Sequence, residues 1–264
     1  MAYISIADVR KIYQEETDKP IIACDRIDLD IDRSSIVTIV GPSGCGKSTL
    51  LHMIGGFITP STGEIRLDGK LVEGPGSERG IVFQNFALFP WLTVRGNVEY
   101  GLVERGVPRR ERRDISQKFI DMVKLGGFEE SFPNRLSGGM QQRVALARML
   151  ACEPDTLLMD EPFGALDAQT RIIMQEELRE ICRDSGKTVV FVTHDVREAV
   201  YLGERVVVMT ARPGKIKKII DIDLPVDAPR LLIDEKADEI WKILRDEVVR
   251  TVVPGATDER RQSQ

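Results

Sequence analysis

The stretch "IVTIVGPSGCGKSTLLHMI", residues 36–54, joins an apolar strand to a helix through a glycine-rich loop. The loop matches the pattern G-x-x-x-x-G-K-[ST], which binds phosphates when a strand precedes it and a helix follows it. Its glycines let consecutive N–H groups turn inward around an anion, and the helix dipole points its positive end at the same anion. We therefore predict a phosphate-binding loop in which Lys47 reaches the terminal phosphates and Ser48 binds Mg²⁺.

A second glycine pair lies far downstream, in "LSGGMQQRVALAR", residues 136–148. Ser137 precedes Gly138 and Gly139, and a helical pattern follows them. A hydroxyl residue and two glycines at a helix start expose backbone N–H groups to an anion. The sequence thus predicts a second phosphate contact in addition to the loop.

Two acidic residues and a histidine follow apolar strands. The strand in "TLLMDEP" delivers Asp160 and then Glu161 at its carboxyl end, where doubly wound sheets place their ligands. Asp160 suits a metal shell, and Glu161 suits orienting a water molecule. The run "TVVFVTHD" ends in His194, which we expect to contact the terminal phosphate and the attacking water.

The order of apolar patterns predicts an α/β fold. Short strands fill the first part of the chain to about Gln84, including a hairpin through Asp68-Gly69. Helical patterns follow Pro90, and apolar runs then alternate with helices, which predicts a parallel sheet covered on both faces. Near the C-terminus, "DEKADEIWKILRDEVVR" predicts a helix that packs one face on the chain, and the last dozen residues are expected to be disordered. The residues predicted on that packed face are Ile240, Trp241, Leu244 and Val248.

Composition excludes several classes of protein. The chain has 264 residues, 42% of them hydrophobic, and a net charge of -5 with both signs dispersed, so nucleic acid is not an expected partner. Its four cysteines form no CxxC pair, which argues against a zinc site or a disulfide framework. No apolar run approaches the roughly 20 residues that cross a bilayer. Any membrane role is therefore expected to be peripheral, through a partner.

Taken together, "GPSGCGKST", "LSGGMQQ", "TLLMDEP", "GALD" and "VTHD" closely resemble the nucleotide-binding subunits of ATP-binding cassette (ABC) transporters. The resemblance covers roughly residues 3–214. It implies a P-loop NTPase (RecA-like) parallel-sheet core with an N-terminal antiparallel β subdomain and an inserted α-helical subdomain. The implied ATPase domain is 1–225, with the RecA-like and β lobe at about 1–90 and 153–225 and the helical lobe at about 91–152. Residues 226–264 would form a C-terminal helix and a disordered tail.

The resemblance also assigns roles to residues. Glu161 is expected to be the catalytic glutamate and His194 the switch histidine, with Lys47 and Gln84 assisting catalysis. Mg²⁺ is expected to bind Ser48, Gln84 and Asp160. The expected ATP contacts are Tyr13, which stacks on adenine, and Gly41, Pro42, Ser43, Gly44, Cys45, Gly46, Lys47, Ser48, Thr49, Gln84, Ser137, Gly138, Gly139, Gln141, Asp160 and Asp167. Cys45 is interpreted as a filler rather than as a reactive thiol.

Such subunits pair head to tail, so each Ser137 and its glycines would cap the ATP on the partner's P-loop. The implied partners are a second ATPase subunit, identical or homologous, permease subunits and, through them, a solute-binding protein. "ERGIVFQ", "FPWLTVRGNV" and "ARPGKI" are similar to the importer group for nitrate, sulfonate, taurine and bicarbonate. Phe86, Phe89 and Trp91 could pack internally or accept a short helix of the permease.

Other readings remain open at this point. An exporter ATPase, an importer of another small solute, a soluble ABC ATPase without a transport role and a non-hydrolysing scaffold use the same motifs. Glu161 and His194 argue against the scaffold, and the soluble class usually carries tandem cassettes or basic arms. We expect an ATPase at the cytoplasmic side of the inner membrane.

Overall fold

The computed structural model describes residues 2–17, 19–225 and 228–252. They divide into two compact units: the first comprises the described residues up to Gly76 and from Thr188 onward, and the second is Ser77–Lys187. The elements are β1 (Ile4–Tyr13), β2 (Ile21–Ile31), β3 (Ile36–Val40), α1 (Lys47–Ile54), β4 (Thr62–Leu67), β5 (Lys70–Leu71), β6 (Arg79–Val82), α2 (Val94–Glu104), α3 (Arg109–Met122), α4 (Gly138–Ala151), β7 (Thr156–Asp160), α5 (Ala168–Ser185), β8 (Thr188–Thr193), α6 (Val196–Leu202), β9 (Arg205–Met209), β10 (Ile216–Asp221) and α7 (Arg230–Val252).

The first unit contains the predicted antiparallel sheet, with strand order β2-β1-β4-β5. Buried and exposed residues alternate along β2, because one face of the strand packs on the core and the other faces water. Asp68 and Gly69 join β4 to β5 with φ angles of 50° and 76°. The hairpin predicted at this dipeptide is therefore confirmed.

A parallel set of strands forms the other half of the first unit. Strand β3 pairs in parallel with β8 on one side and with β9 on the other, and β10 adds to β9 in antiparallel orientation. Every residue of β3 and β8 is buried, which explains why both strands are continuous apolar runs rather than alternating ones. Helix α1 begins seven residues after β3 ends, so the glycine loop lies at the carboxyl end of a central strand.

The second unit is mainly helical. Helix α4 packs against α2 and α3, and β6 pairs with β7 in parallel. Eight residues of α4 are buried, including Gln142 among its apolar neighbours. This unit contains the helices predicted after Pro90 together with β6, β7 and α5.

Helix α7 packs on the first unit, as predicted, but Trp241 does not. Ile240 and Leu244 are fully buried in a cluster with residues of β3, α6 and β9, and Val248 is partly buried there, whereas Trp241 is 44% exposed. Ala237 and Glu247 are also buried, so the buried stripe is centred on that side of the helix and Trp241 falls at its edge. The prediction for Trp241 was therefore wrong. The predicted disorder of residues 253–264 lies outside the described residues.

Within the described ranges, no helix combines the length and the apolar character that crossing a bilayer requires.

The packing of α7 can be tested by truncating one buried side chain. Leu244→Ala should lower the free energy of unfolding by about 2–5 kcal/mol, because it removes apolar contacts and leaves a cavity. Chemical denaturation of the full chain measures the change. Lys242→Ala, at an exposed position of the same helix, is the control and should stay within about 0.5 kcal/mol. Equal effects of the two substitutions would contradict the packing described here.

Candidate nucleotide-binding site

The glycine loop has the backbone of a phosphate cradle. It runs from the end of β3 at Val40 to the start of α1 at Lys47. Gly44 and Gly46 have φ angles of 72° and 103°, which residues with a side chain rarely adopt. A Cβ on Gly46 would lie 2.6 Å from the carbonyl oxygen of Ala23 on β2. Glycine is therefore required at this position both by conformation and by space.

The lysine of the loop is buried and held by the loop itself. Lys47 is 6% exposed, and its Nζ donates to the carbonyl oxygens of Gly41 at 2.8 Å and Pro42 at 3.1 Å. A buried ammonium needs such acceptors. Phosphate oxygens are charged acceptors and form stronger hydrogen bonds than carbonyls do, so they can take over these donors.

Tyr13 lies beside the first turn of α1. Its hydroxyl is 3.4 Å from the Oγ1 of Thr49, and its ring is 36% exposed with the Nζ of Lys11 5.4 Å from the ring centroid. An exposed ring next to the phosphate loop is placed where a planar base can stack on it. The first unit thus brings together Tyr13 and the predicted loop residues 41–49.

Cys45 is buried in the loop, at 1% exposure. Burial raises the pKa of its thiol, although the neighbouring Lys47 ammonium acts in the opposite direction. Burial also raises the pKa of Cys24 to about 12. Because the thiolate is the reactive form, both thiols are poor nucleophiles. The structure thus agrees with the interpretation of Cys45 as a filler.

His194 belongs to the same unit and directly follows β8. The next residue, Asp195, caps α6 by accepting hydrogen bonds from the backbone N–H groups of Arg197 at 2.9 Å and Glu198 at 3.2 Å. His194 lines a cavity of about 360 Å³, whose wall includes Arg197 and Trp241. The cap fixes the backbone at the position where the histidine leaves the strand.

The second unit contains the predicted acidic pair. Asp160 is 2% exposed at the end of β7, and Glu161 has a φ angle of 48°. Left-handed backbone at a residue other than glycine costs energy and is concentrated at functional sites. Here the conformation is held by Gln142 of α4, whose Nε2 donates to the carbonyl of Glu161 at 3.0 Å and whose Oε1 accepts from the N–H of Ala165 at 3.1 Å.

Gln142 was missed by the sequence analysis. It is 2% exposed and satisfies two backbone groups on either side of the turn that begins at Glu161. The sequence offered one signal for this role: Gln142 is a polar residue among the apolar residues that follow the second glycine pair. The sequence could not show which backbone groups the side chain would bind.

The second glycine pair forms a capped helix start. Ser137 is the N-cap of α4, and its Oγ accepts from the N–H of Met140 at 3.3 Å. A Cβ on Gly139 would lie 3.3 Å from the carbonyl oxygen of Ala165, whereas Ser137 and Gly138 are exposed. Gln141 donates to the carbonyls of Pro133 and Leu136 at 3.0 and 3.2 Å, within its own unit. The helix start is therefore open to a ligand.

Asp167 caps another helix of the second unit. It is the N-cap of α5 and accepts from the N–H and the hydroxyl of Thr170 at 3.0 and 2.7 Å. These hydrogen bonds, led by the backbone N–H of Thr170, hold the pKa of Asp167 below its usual value. The carboxylate is therefore ionised at the exposed start of α5.

The turn after Gln84 is bound to α4 by an arginine that the sequence analysis also missed. Phe86 and Ala87 have φ angles of 62° and 44°. Arg148 donates to their carbonyl oxygens at 3.0 and 2.7 Å, and its guanidinium lies 5.4 Å from the centroid of the Phe89 ring. Burial lowers the pKa of Arg148, which remains charged at neutral pH because an arginine starts from such a high value.

The predicted metal ligands offer suitable chemistry. Ser48 supplies a hydroxyl, Gln84 an amide oxygen and Asp160 a carboxylate, and Mg²⁺ prefers oxygen donors with few protein carboxylates when phosphates complete its shell. The first unit contains Ser48, Tyr13, the loop and His194. The second contains Gln84, Asp160, Glu161, Asp167 and the glycine pair.

Comparison with known proteins identifies the family. Residues 24–164 match the family model described as ABC transporter. The chain is 51% identical over 251 residues to an uncharacterized ABC transporter ATP-binding protein of Methanocaldococcus jannaschii, covering 94% of each chain. It is 47% identical over 225 residues to the nitrate import ATP-binding protein of Synechocystis, covering 85% of this chain and 84% of that one.

A bicarbonate transport ATP-binding protein of Synechococcus elongatus is 43% identical over 250 residues, which are 94% of this chain and 37% of that longer protein.

Solved structures indicate the same family. A dimeric ATP-binding cassette in a post-hydrolysis state, bound to ADP and Pi, is 35% identical with a TM-score of 0.77, and the match covers 83% of this chain and 98% of that one. The predicted α/β P-loop NTPase fold and ATPase class are confirmed by these relatives. The chain belongs to the ABC transporter family and is an ATP-binding subunit of that family.

Proposed function

We propose that this ATPase pairs head to tail with a second ATPase subunit around two ATP molecules and powers the import of a small anion. The observation that carries the proposal is the start of α4, where Ser137 caps the helix and both Ser137 and Gly138 are exposed to solvent. Helix N-termini of this kind bind phosphate. The phosphate loop already supplies one phosphate-binding site per chain. The second such site, at the start of α4, is explained if it binds the ATP held by a partner subunit.

The nucleotide contacts follow from the side chains described above. Tyr13 stacks on adenine, and the N–H groups of residues 41–49 surround the phosphates. Lys47 exchanges its two carbonyl acceptors for phosphate oxygens. The partner's α4 start closes the site with its Ser137 hydroxyl and glycine N–H groups, and Gln141 and Asp167 belong to the same partner-facing surface.

Hydrolysis requires a water molecule in line with the terminal phosphate. Glu161 orients this water and accepts its proton, and His194 contacts the terminal phosphate. Ser48, Gln84 and Asp160 would hold Mg²⁺, and the ion would supply positive charge to offset the charge that develops on the phosphates. Gln142 of α4 holds the backbone carbonyl of Glu161 by a hydrogen bond, and the backbone in turn directs the carboxylate of Glu161.

The membrane partner is a permease that docks on the aromatic cluster formed by Phe89, Trp91 and Tyr100. The ring centroid of Phe89 lies 5.6 Å from that of Trp91 and 4.4 Å from that of Tyr100. Trp91 is 70% exposed and Tyr100 is 40% exposed. Large exposed aromatic side chains mark protein interfaces, and such a cluster fits a short helix of the permease. In this proposal the ATPase is a peripheral subunit at the cytoplasmic side of the inner membrane.

The proposed cargo is a small anion such as nitrate, sulfonate, taurine or bicarbonate, and a solute-binding protein delivers it to the permease. Two relatives, a nitrate import and a bicarbonate transport ATP-binding protein, support this class. In proteoliposomes containing the permease and this ATPase, each anion is added with its binding protein and ATP turnover is measured. Stimulation by one of these anions supports the proposal, and stimulation only by a sugar or an amino acid contradicts it.

We also propose the domain division given by the family resemblance, with an ATPase domain at 1–225, its helical lobe at about 91–152, and a C-terminal segment at 226–264.

Glu161→Gln should slow ATP turnover at least about 100-fold while ATP binding persists, because the amide cannot accept the proton of the attacking water. The ATP-bound dimer should then accumulate, which size-exclusion chromatography with Mg²⁺ and ATP detects. Glu235→Gln, an exposed position on α7, is the control and should turn over ATP at the normal rate. Normal turnover by Glu161→Gln would rule out the catalytic assignment.

Ser137→Arg should leave ATP binding by the isolated chain within about twofold, because Ser137 serves the partner's nucleotide. Dimer formation and hydrolysis should be lost, since a bulky cation replaces the cap at the α4 start. Calorimetric titration with ATP and light scattering measure the two properties. Glu111→Arg, at an exposed position of α3, adds the same side chain elsewhere. Loss of ATP binding by the isolated Ser137→Arg chain would show that this serine serves its own nucleotide.

Trp91→Ala should reduce retention of the ATPase on membranes that contain its permease, by about tenfold or more if the tryptophan is a central contact. Co-sedimentation with such membranes measures the retention. Phe57→Ala removes a second exposed aromatic side chain, 46% exposed in the first unit, and should have little effect. Unchanged retention of Trp91→Ala would place the permease on another surface.

A further inference from the structure

A short turn at residues 211–214 connects β9 to β10 and reaches the phosphate loop. Arg212 donates from Nε to the carbonyl oxygen of Gly44 at 3.1 Å. A Cβ built on Gly44 would also lie 3.4 Å from a terminal nitrogen of the same guanidinium. In the sequence, this segment contributed only to a family resemblance, and no role was predicted for Arg212.

The backbone of the 211–214 turn is fixed on β2 and pressed against the loop. The N–H of Gly214 donates to the carbonyl of Ala23 at 3.0 Å, and the carbonyl of Gly214 accepts from the N–H of Asp25 at 2.9 Å. A Cβ on Gly214 would lie 2.0 Å from the carbonyl oxygen of Cys45, so only glycine fits here. The turn is therefore packed directly against the backbone of the phosphate loop.

The other end of the turn is held by α7. Glu247 is 3% exposed, and its Oε2 accepts from the N–H of Ala211 at 3.1 Å while its Oε1 accepts from the Nζ of Lys217 at 2.8 Å. A buried carboxylate is stable only when its oxygens are satisfied in this way. Glu247 thereby anchors the residue next to Arg212 from the C-terminal helix.

The hydrogen bond from Arg212 restrains the peptide unit that joins Gly44 to Cys45. A trans peptide unit holds its C=O and N–H in opposite directions, so a Gly44 carbonyl held by Arg212 points the Cys45 N–H the other way. That N–H lies 3.3 Å from the carbonyl oxygen of Pro42, which also accepts from the Nζ of Lys47. The Cys45 N–H and the Lys47 ammonium thus donate to the same carbonyl oxygen, that of Pro42.

We infer that Arg212 is a positioning residue for the phosphate loop and that Glu247 of α7 holds Arg212 in place, so that the C-terminal helix contributes to the affinity for the nucleotide phosphates. The inference rests on the proposal that the P-loop of this chain binds ATP. The guanidinium acts through the backbone of Gly44, and its positive charge beside the loop favours the phosphates further.

The test uses Arg212→Ala in the full chain, with the dissociation constant for ATP measured by calorimetry and the KM and kcat of hydrolysis measured with Mg²⁺. Losing one hydrogen bond that orients an amide should raise Kd and KM about three- to tenfold and change kcat less than about twofold. Arg212→Lys should recover part of the loss, because the ammonium can donate one bond to Gly44. Arg245→Ala, at an exposed position of α7, is the matched control.

The link to α7 is tested by combining Arg212→Ala with Glu247→Gln. Glu247→Gln alone should raise the Kd for ATP, and an unchanged Kd in this single variant would overturn the link. Because residues that act through one contact give non-additive effects, the double variant should then bind ATP about as well as Arg212→Ala alone. Asp246→Asn, exposed beside Glu247, is the control, and thermal melting confirms that each variant is folded. Fold-losses that multiply would show that Glu247 does not act through Arg212 and would overturn that part of the inference.

Failure of the inference and failure of the underlying site are distinguished by Lys47→Ala. If Lys47→Ala abolishes ATP binding while Arg212→Ala leaves Kd within twofold, the loop is the ATP site and Arg212 does not position it. If Lys47→Ala binds ATP normally, the proposed site itself is wrong. A larger Kd in Arg212→Ala, partly restored in Arg212→Lys and absent from Arg245→Ala, establishes the positioning role.

Discussion

The close approach of Gly46 to the carbonyl of Ala23 is the constraint on which the site of the first unit depends. A side chain at this position would overlap β2, and the left-handed backbone there turns the chain from β3 into α1. The strand, the loop and the helix are thus fixed by one contact that excludes every residue except glycine. The buried Lys47 takes its position from the same turn, whereas Tyr13 is held by the pairing of β1 with β2.

In the second unit, the corresponding role is played by the polar side chains of α4. Gln142 and Arg148 reach from this helix to two turns whose backbone is left-handed at residues other than glycine. Buried hydrogen bonds of this kind hold conformations that would otherwise cost energy. One helix therefore supports the turn after Gln84, the turn at Glu161 and its own exposed start at Ser137.

Most of the fold was predictable because its signals are local. The continuous apolar runs of β3 and β8, the turn at Asp68-Gly69 and the glycine loop each contain their own explanation within a few residues. Trp241 was placed wrongly because helical periodicity defines the face of a helix but not which edge of that face is covered. Gln142, Arg148 and Arg212 were missed because each binds backbone carbonyls distant in sequence, and a carbonyl leaves no mark in the amino-acid pattern.

The carbonyls of Gly41 and Pro42 hold Lys47, so a phosphate that binds this lysine in the proposed site must replace them as acceptor. The Lys47 ammonium already has acceptors at 2.8 and 3.1 Å, so in the proposed site ATP would gain only the difference between the hydrogen bonds it forms and those it displaces. Because Lys47 has acceptors within its own loop, its buried ammonium stays hydrogen-bonded after a nucleotide leaves. For an ATPase that releases its product in every cycle, such acceptors lower the free-energy cost of that release.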